Sequence, residues 1–159
     1  MQDILTCAMG LDVHRDIIVA CLVKGAVDAE PEAETRTFST LIPEMQKLRD
    51  WVIESECRNI AMESTGIYWQ PIYEMLESCF DGEISILVVN ARHMKNVPGR
   101  KTDMKDAQWI ATLLRAGLLK GSFIPDKAFR ELRHLTRYRK SVVHDITAQK
   151  NRIDKFLQS

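Results

Sequence analysis

The feature that most limits what this chain can become is a change of hydrophobic period along its length. Up to residue 90, apolar residues come in short strand-length runs separated by two stretches of helical spacing. Residues 8–13 form a short apolar run, His14-Arg15-Asp16 interrupts it, and residues 17–23 (IIVACLV) resume it. Two such runs across a short polar break predict a hairpin. Residues 25–34 are acidic and loop-like, and residues 35–40 (TRTFST) alternate as a third strand. From 41 to 56, Ile42, Met45, Leu48, Trp51 and Val52 stand at helical spacing. Residues 59–62 predict a short strand. Ser64-Thr65-Gly66 offers an N-cap for a helix carrying Ile67, Ile72, Met75, Leu76 and Phe80. Asp81-Gly82 then turns into residues 84–89 (ISILVV), a continuous apolar run that suits a strand covered on both faces. The order β-β-β-α-β-α-β implies an α/β fold, a mixed sheet with helices on its faces.

Beyond residue 90 the pattern differs. Residues 92–101 (RHMKNVPGRK) are basic, and Pro98-Gly99 excludes a continuous helix there. Thr102 can cap a helix from 103 to about 119, and Gly121 and Pro125 punctuate the chain after it. Residues 126–158 then predict one long helix. Its positions 128, 132, 135, 139, 142, 146, 149, 153 and 156 advance in alternating steps of four and three. All but Arg139 and Gln149 are apolar: Ala128, Leu132, Leu135, Val142, Ile146, Ile153 and Phe156. Such a heptad seam needs a partner helix, and at ~1.5 Å per residue it extends roughly 50 Å, more than a small domain can cover. The expected organisation is therefore a domain over 1–121 and a long basic, coiled-coil-like helix over 126–159 that links and dimerises.

Composition matters mainly through its distribution. The formal net charge is zero, with 22 basic and 22 acidic residues. Residues 1–90, however, hold 6 basic and 16 acidic side chains, and residues 91–159 hold 16 and 6. An asymmetry of this kind points to a nucleic-acid surface in the second half. The 4 cysteines, Cys7, Cys21, Cys57 and Cys79, are widely spaced with no C-x-x-C, which argues against zinc and for a reducing cytosol. No run approaches the ~18 apolar residues of a membrane span, and MQDILTC lacks the features of a signal peptide.

Four carboxylates stand where chemistry could use them. Asp12 interrupts an apolar strand, where it either meets backbone amides of the following turn or takes a partner. Glu63 ends the strand NIAME, at a position that also suits a junction cap. Asp103 and Asp106 share one helical face at i, i+3, where the helix dipole alone would favour first-turn acids. If they converge, they need a divalent cation to offset their repulsion, and an all-oxygen set suits Mg²⁺ or Mn²⁺. Two such ions ~4 Å apart can activate a nucleophile and stabilise the leaving oxygen in phosphodiester displacement.

The segments GLDVHRDIIVAC, AMESTGIYWQPIYEMLE, VPGRKTDMKDAQWIATLLRAGLL and ELRHLTRYRKSVVHDITAQKNRI, in this order across nearly the whole chain, resemble the DEDD insertion-sequence transposases. The resemblance implies a ribonuclease H-like (RuvC-like) domain and a catalytic, metal-binding tetrad of Asp12, Glu63, Asp103 and Asp106. It also implies an Mg²⁺-dependent recombinase acting on DNA. A guide RNA pairs with donor and target in some relatives, and a serine nucleophile comes from a second domain. Because the sequence runs only to Ser159, inside the long helix, the resemblance implies the N-terminal part of a longer protein or a truncated copy, able to bind metal and nucleic acid but not to complete recombination. A nucleoid-associated, prokaryotic cytoplasmic location is implied by the same resemblance.

Basic residues supply candidate DNA contacts. Lys95, Arg100, Lys101 and Lys105 flank the proposed tetrad and could hold a phosphate backbone. Arg130, Arg133, Arg137, Lys140, Lys150, Arg152 and Lys155 lie off the seam of the long helix, where the simpler role is solubilising, but only Glu131, Asp145 and Asp154 offset them after Asp126, which favours nucleic-acid contact. His14 is expected in a turn, and Trp51, Tyr68, Trp69 and Trp109 in the core. Two other functions fit the same residues: a self-sufficient Holliday-junction resolvase-like nuclease, and a non-catalytic nucleic-acid-binding dimerisation module. Glycine-rich phosphate loops of an ATPase are absent from the sequence.

Overall fold

The computed structural model describes residues 4–64, 66–90, 94 and 106–158. It divides into two units, 1–122 and 123–159. The first is built on a five-stranded sheet of β1 (Cys7–Val13), β2 (Ile17–Lys24), β3 (Glu32–Ser39), β4 (Asn59–Glu63) and β5 (Ser85–Val89), in the spatial order β3-β2-β1-β4-β5. β1, β2 and β3 pair antiparallel, whereas β4 lies parallel to β1 and β5 parallel to β4. Its helices are α1 (Ile42–Glu54), α2 (Trp69–Phe80) and α3 (Asp106–Arg115). The second unit is α4 (Lys127–Leu157).

Strand alternation assigns the two faces of the sheet. Gly10 of β1 pairs with Cys21 of β2 and Ala61 of β4, and all three belong to the face that α3 covers. Ala8 and Ala61 pack with Ile110 and Leu114, while Cys21 and Val23 pack with Ala107 and Ala111. The contact is close because both sides are small: a Cβ on Gly10 would lie 2.1 Å from the Ala107 carbonyl oxygen. Met9, Leu11, Ile60 and Met62 point to the opposite face and are fully buried. Phe38, on that face beside Ile18, meets Trp51 of α1 with ring centroids 6.1 Å apart, and Leu48, Val52, Ile72 and Leu76 of α1 and α2 are buried as well.

Several boundaries depart from the sequence reading for identifiable reasons. β3 begins at Glu32, inside the acidic stretch expected to be loop, because β2 offers a full row of backbone partners and sets Lys24 opposite Glu32. α2 begins at Trp69, and its N-cap Tyr68 makes no side-chain capping bond. Ser64 is not the cap; its N–H donates to the Val89 carbonyl at 2.9 Å. Gly66 turns the chain with φ +58°, and Pro71, lacking an N–H, fits only the first helical turn. β5 is one of the two edge strands, and of its apolar residues only Val88 and Val89 are buried.

α3 ends at Arg115, earlier than the expected residue 119. Gly117, at φ +68°, donates to Leu114, and Leu118 donates to Leu113, a Schellman closure that needs a left-handed residue. The expected Thr102 cap lies outside the described residues. α4 matches its predicted bounds within a residue, with Asp126 accepting a hydrogen bond from the Phe129 N–H at 3.0 Å.

Candidate metal centre

The sheet register determines which carboxylates can meet. Gly10 pairs with Ala61 and Leu11 with Met62, so Asp12 and Glu63 are the next residues along two adjacent parallel strands. Asp12 shares the α3-facing side with Gly10, and Glu63 shares it with Ala61. Asp12 also pairs with Val19 of β2, which packs against the cluster that contains Ala107 and Ala111. α3 runs antiparallel to β1: Ala107 sits over Gly10, and Arg115 reaches Leu5 at the beginning of the sheet. Asp106, the first residue of α3, therefore lies at the end of the sheet where β1 and β4 deliver Asp12 and Glu63. The N-terminal end of α3 favours negative charge there.

Asp12 is largely buried, with its side chain 17% exposed, and His14 Nε2 lies 3.1 Å from its Oδ2. That histidine occupies the β1–β2 turn, where its backbone N–H donates to Ile17 at 2.9 Å. The turn supplies Asp12 with an imidazole, a contact that the i, i+2 spacing alone did not reveal. Glu63 is half-buried and Asp106 exposed. Among the described residues, no three of His, Cys, Asp and Glu come close enough to hold a metal ion. The fourth member of the predicted set, Asp103, lies outside the described residues, as do Lys95, Arg100, Lys101 and Lys105.

Two anchors hold α3 in this position. Gly10 permits the helix backbone to touch β1. Arg115, only 1% exposed, donates through Nε to the Leu5 carbonyl at 2.9 Å and through Nη2 to Gly25 at 3.1 Å and Ala26 at 2.5 Å. The Arg115 carbonyl in turn accepts from Ile4 and Leu5. Neither residue stood out in the sequence. An arginine in the last turn of an amphipathic helix reads as surface, and a glycine in a strand as a weak point.

Within the second unit, Arg133, Arg137 and Lys140 are exposed along one stripe of α4 at i, i+4, i+7. Arg130 corrects the expectation of a nucleic-acid contact. It is 8% exposed, and its Nη1 donates to the Pro125 carbonyl at 2.7 Å, fastening the start of the helix. Leu132, Leu135, Ile146 and Ile153 of the seam are at least half exposed. Among the described residues no helix is long and apolar enough to cross a membrane.

A family model described as transposase, of the DEDD type represented by IS110, matches residues 9–159. No curated protein matches the chain. Solved structures of similar fold include RuvC from Thermus thermophilus, at 12% identity over 73% of this chain and 99% of that one, with a TM-score of 0.51. The same protein in complex with a Holliday junction substrate aligns at 13% identity over 74% of this chain and 100% of that one, with a TM-score of 0.53. These likenesses establish the RuvC-like fold.

Proposed function

The chain belongs to the DEDD transposase family of the IS110 type, and we propose that it acts as the metal-binding, RuvC-like part of a DNA recombinase. The observation that carries this reading is the delivery of Asp12 and Glu63 by adjacent strand ends to the face over which Asp106 begins α3. The donors fit a hard divalent cation: all are carboxylates, and the cysteines of β1 and of the β4 approach sit at the opposite end of the sheet. Asp12, Glu63, Asp103 and Asp106 would hold Mg²⁺ or Mn²⁺, and the bound ion would polarise a scissile phosphate and stabilise charge on its oxygens. His14, hydrogen-bonded to Asp12, would orient that carboxylate. Lys95, Arg100, Lys101 and Lys105 would neutralise phosphates beside the site. Arg133, Arg137 and Lys140 would add phosphate contacts along α4.

The family resemblance adds finer elements. A serine from a further domain would be the nucleophile, a structured guide RNA would select the DNA, and the seam of α4 would pair two chains.

Titration calorimetry with Mn²⁺ tests the site. Asp12→Ala and Glu63→Ala should each reduce affinity at least 10-fold with the fold intact by circular dichroism. Unchanged affinity in both would remove the tetrad from consideration. Likeness to a junction-bound RuvC supports a second reading, a self-sufficient resolvase. Metal-dependent cleavage of branched DNA by this chain alone would favour it, whereas binding without cleavage favours the recombinase. A non-catalytic binding module would keep its salt-dependent DNA affinity after the carboxylates are removed.

A further inference from the structure

The end of the sheet opposite the carboxylates brings two thiols together. Cys7 opens β1, and Cys57 lies two residues before β4. The parallel register that sets Met9 beside Ile60, continued two residues back, places Cys7 opposite Arg58, the neighbour of Cys57. Asn59 ties this corner: its Nδ2 donates to the Cys7 carbonyl at 3.3 Å, and the Cys57 thiol lies 3.3 Å from the Asn59 carbonyl. Asn59 thus touches both residues, Cys7 half-buried and Cys57 buried. A cavity of about 360 Å³ between the ends of α1 and α2 and the starts of β4 and β5 is lined by Cys57, with Val52, Phe80 and Ile84. It opens this corner to solvent on the Cys57 side, and Cys7 is itself only half-buried.

The environments of the two thiols differ in a useful way. The hydrogen bond from Cys57 lowers Cys7 to about 7, with Lys24 and Arg115 adding attraction and burial opposing it. Cys57 is pushed up by that shared hydrogen bond and by burial. The Cys7 thiol is thus drawn toward ionisation, while the Cys57 thiol is held toward its protonated form. This division of roles suits an attacking and a resolving cysteine.

We propose that Cys7 and Cys57 form a hydroperoxide-sensitive dithiol that closes into a disulfide between β1 and the approach to β4. The Cys7 thiolate attacks the distal oxygen of hydrogen peroxide; an S–O bond forms, the O–O bond breaks, and hydroxide leaves to be protonated to water. The Cys57 sulfur then gives up its proton and attacks the Cys7 sulfenic acid. The S–S bond forms, the S–O bond breaks, and a second water departs. Two electrons pass from the two sulfurs to one peroxide. The staple joins positions far apart in sequence, so it restricts the unfolded chain and raises the thermal midpoint by roughly 5–15 °C. It stands apart from the carboxylates and does not depend on a metal.

The test exposes the full chain to a small excess of hydrogen peroxide at neutral pH, alkylates it in denaturant with N-ethylmaleimide, and maps its peptides without reduction. An intramolecular Cys7–Cys57 peptide pair that dithiothreitol reverses, accompanied by the rise in thermal midpoint, is the expected result. In Cys57→Ser, dimedone should trap Cys7 as the sulfenic acid. Recovery of both cysteines as alkylated thiols, or disulfides confined to Cys79 between chains, would overturn the proposal whether or not the variant folds. Iodoacetamide modification of Cys7 in the untreated protein should rise through a midpoint near pH 7. A midpoint at the ordinary thiol value of about 8.5 would also count against it.

Discussion

α3 and α4 are both amphipathic, yet they meet their surroundings in opposite ways. α3 buries Ala107, Ile110, Ala111, Leu113, Leu114 and Arg115 of its ten residues. α4 has 31 residues, and Arg130 alone is buried. Length and charge contribute, and the period and size of the apolar residues complete the contrast. α3 presents small residues, Ala107 and Ala111, to the flat strip made by Gly10 and Ala61, so its backbone lies against the sheet. α4 presents Leu and Ile at heptad steps, a pattern that interlocks with another helix rather than lying on a flat strip. One helix is complete within its own unit, and the other leaves its apolar seam exposed.

The sharpest way to break the comparison is to deny α3 its strip. Gly10→Val places a side chain on the Ala107 carbonyl and the Ala111 N–H, both backbone groups that cannot move aside. It should cost more than ~3 kcal/mol in urea unfolding, and it should abolish Mn²⁺ binding by displacing Asp106. Arg115→Met comes next. It keeps much of the apolar stem but removes the donors to Leu5, Gly25 and Ala26, for an expected loss of about 3 kcal/mol by the same measurement. A similar loss of stability in a variant of α4 would erase the contrast between the two helices.

Substitutions on α4 should act on association instead. Leu135→Ala should leave the unfolding of the first unit unchanged and weaken self-association by about 2 kcal/mol, roughly 30-fold in Kd, in sedimentation equilibrium. A chain that is monomeric at all concentrations would sink the role proposed for the seam. The smallest effect is expected for Asp126→Ala, which removes the bond to the Phe129 N–H and should reduce the helicity of the second unit by about 1 kcal/mol of local stability. Circular dichroism of a 123–159 peptide with and without the substitution would measure it.

Much of the fold is legible because strands and helices announce themselves locally. The hairpin of β1 and β2, the helical spacing of α1 and the full extent of α4 follow from period and punctuation alone. The misplacements have physical causes of longer range. β3 is lengthened by the free edge of β2, and α2 is delayed by Pro71. α3 is cut short by Gly117, a glycine less conspicuous in sequence than Gly121 or Pro125. The candidate site was legible in another way. Period and polarity marked Asp12, Glu63 and Asp106 only as acids in notable places, each with an ordinary alternative. Their places at strand ends and on a helix that could pack against the sheet already suggested one metal site, and resemblance to a family identified it as a tetrad.

The sequence by itself determined the elements and their order, because hydrophobic period and turn residues act over a few positions. The tertiary structure alone decided which elements meet. Setting β4 parallel to β1, with Gly10 opposite Ala61, aligns Asp12 with Glu63 at one end and brings Cys7 to the approach to β4, next to Cys57, at the other. That register depends on burying two faces of one sheet at once, under α3 on one side and α1 and α2 on the other. No local window of the sequence contains that constraint.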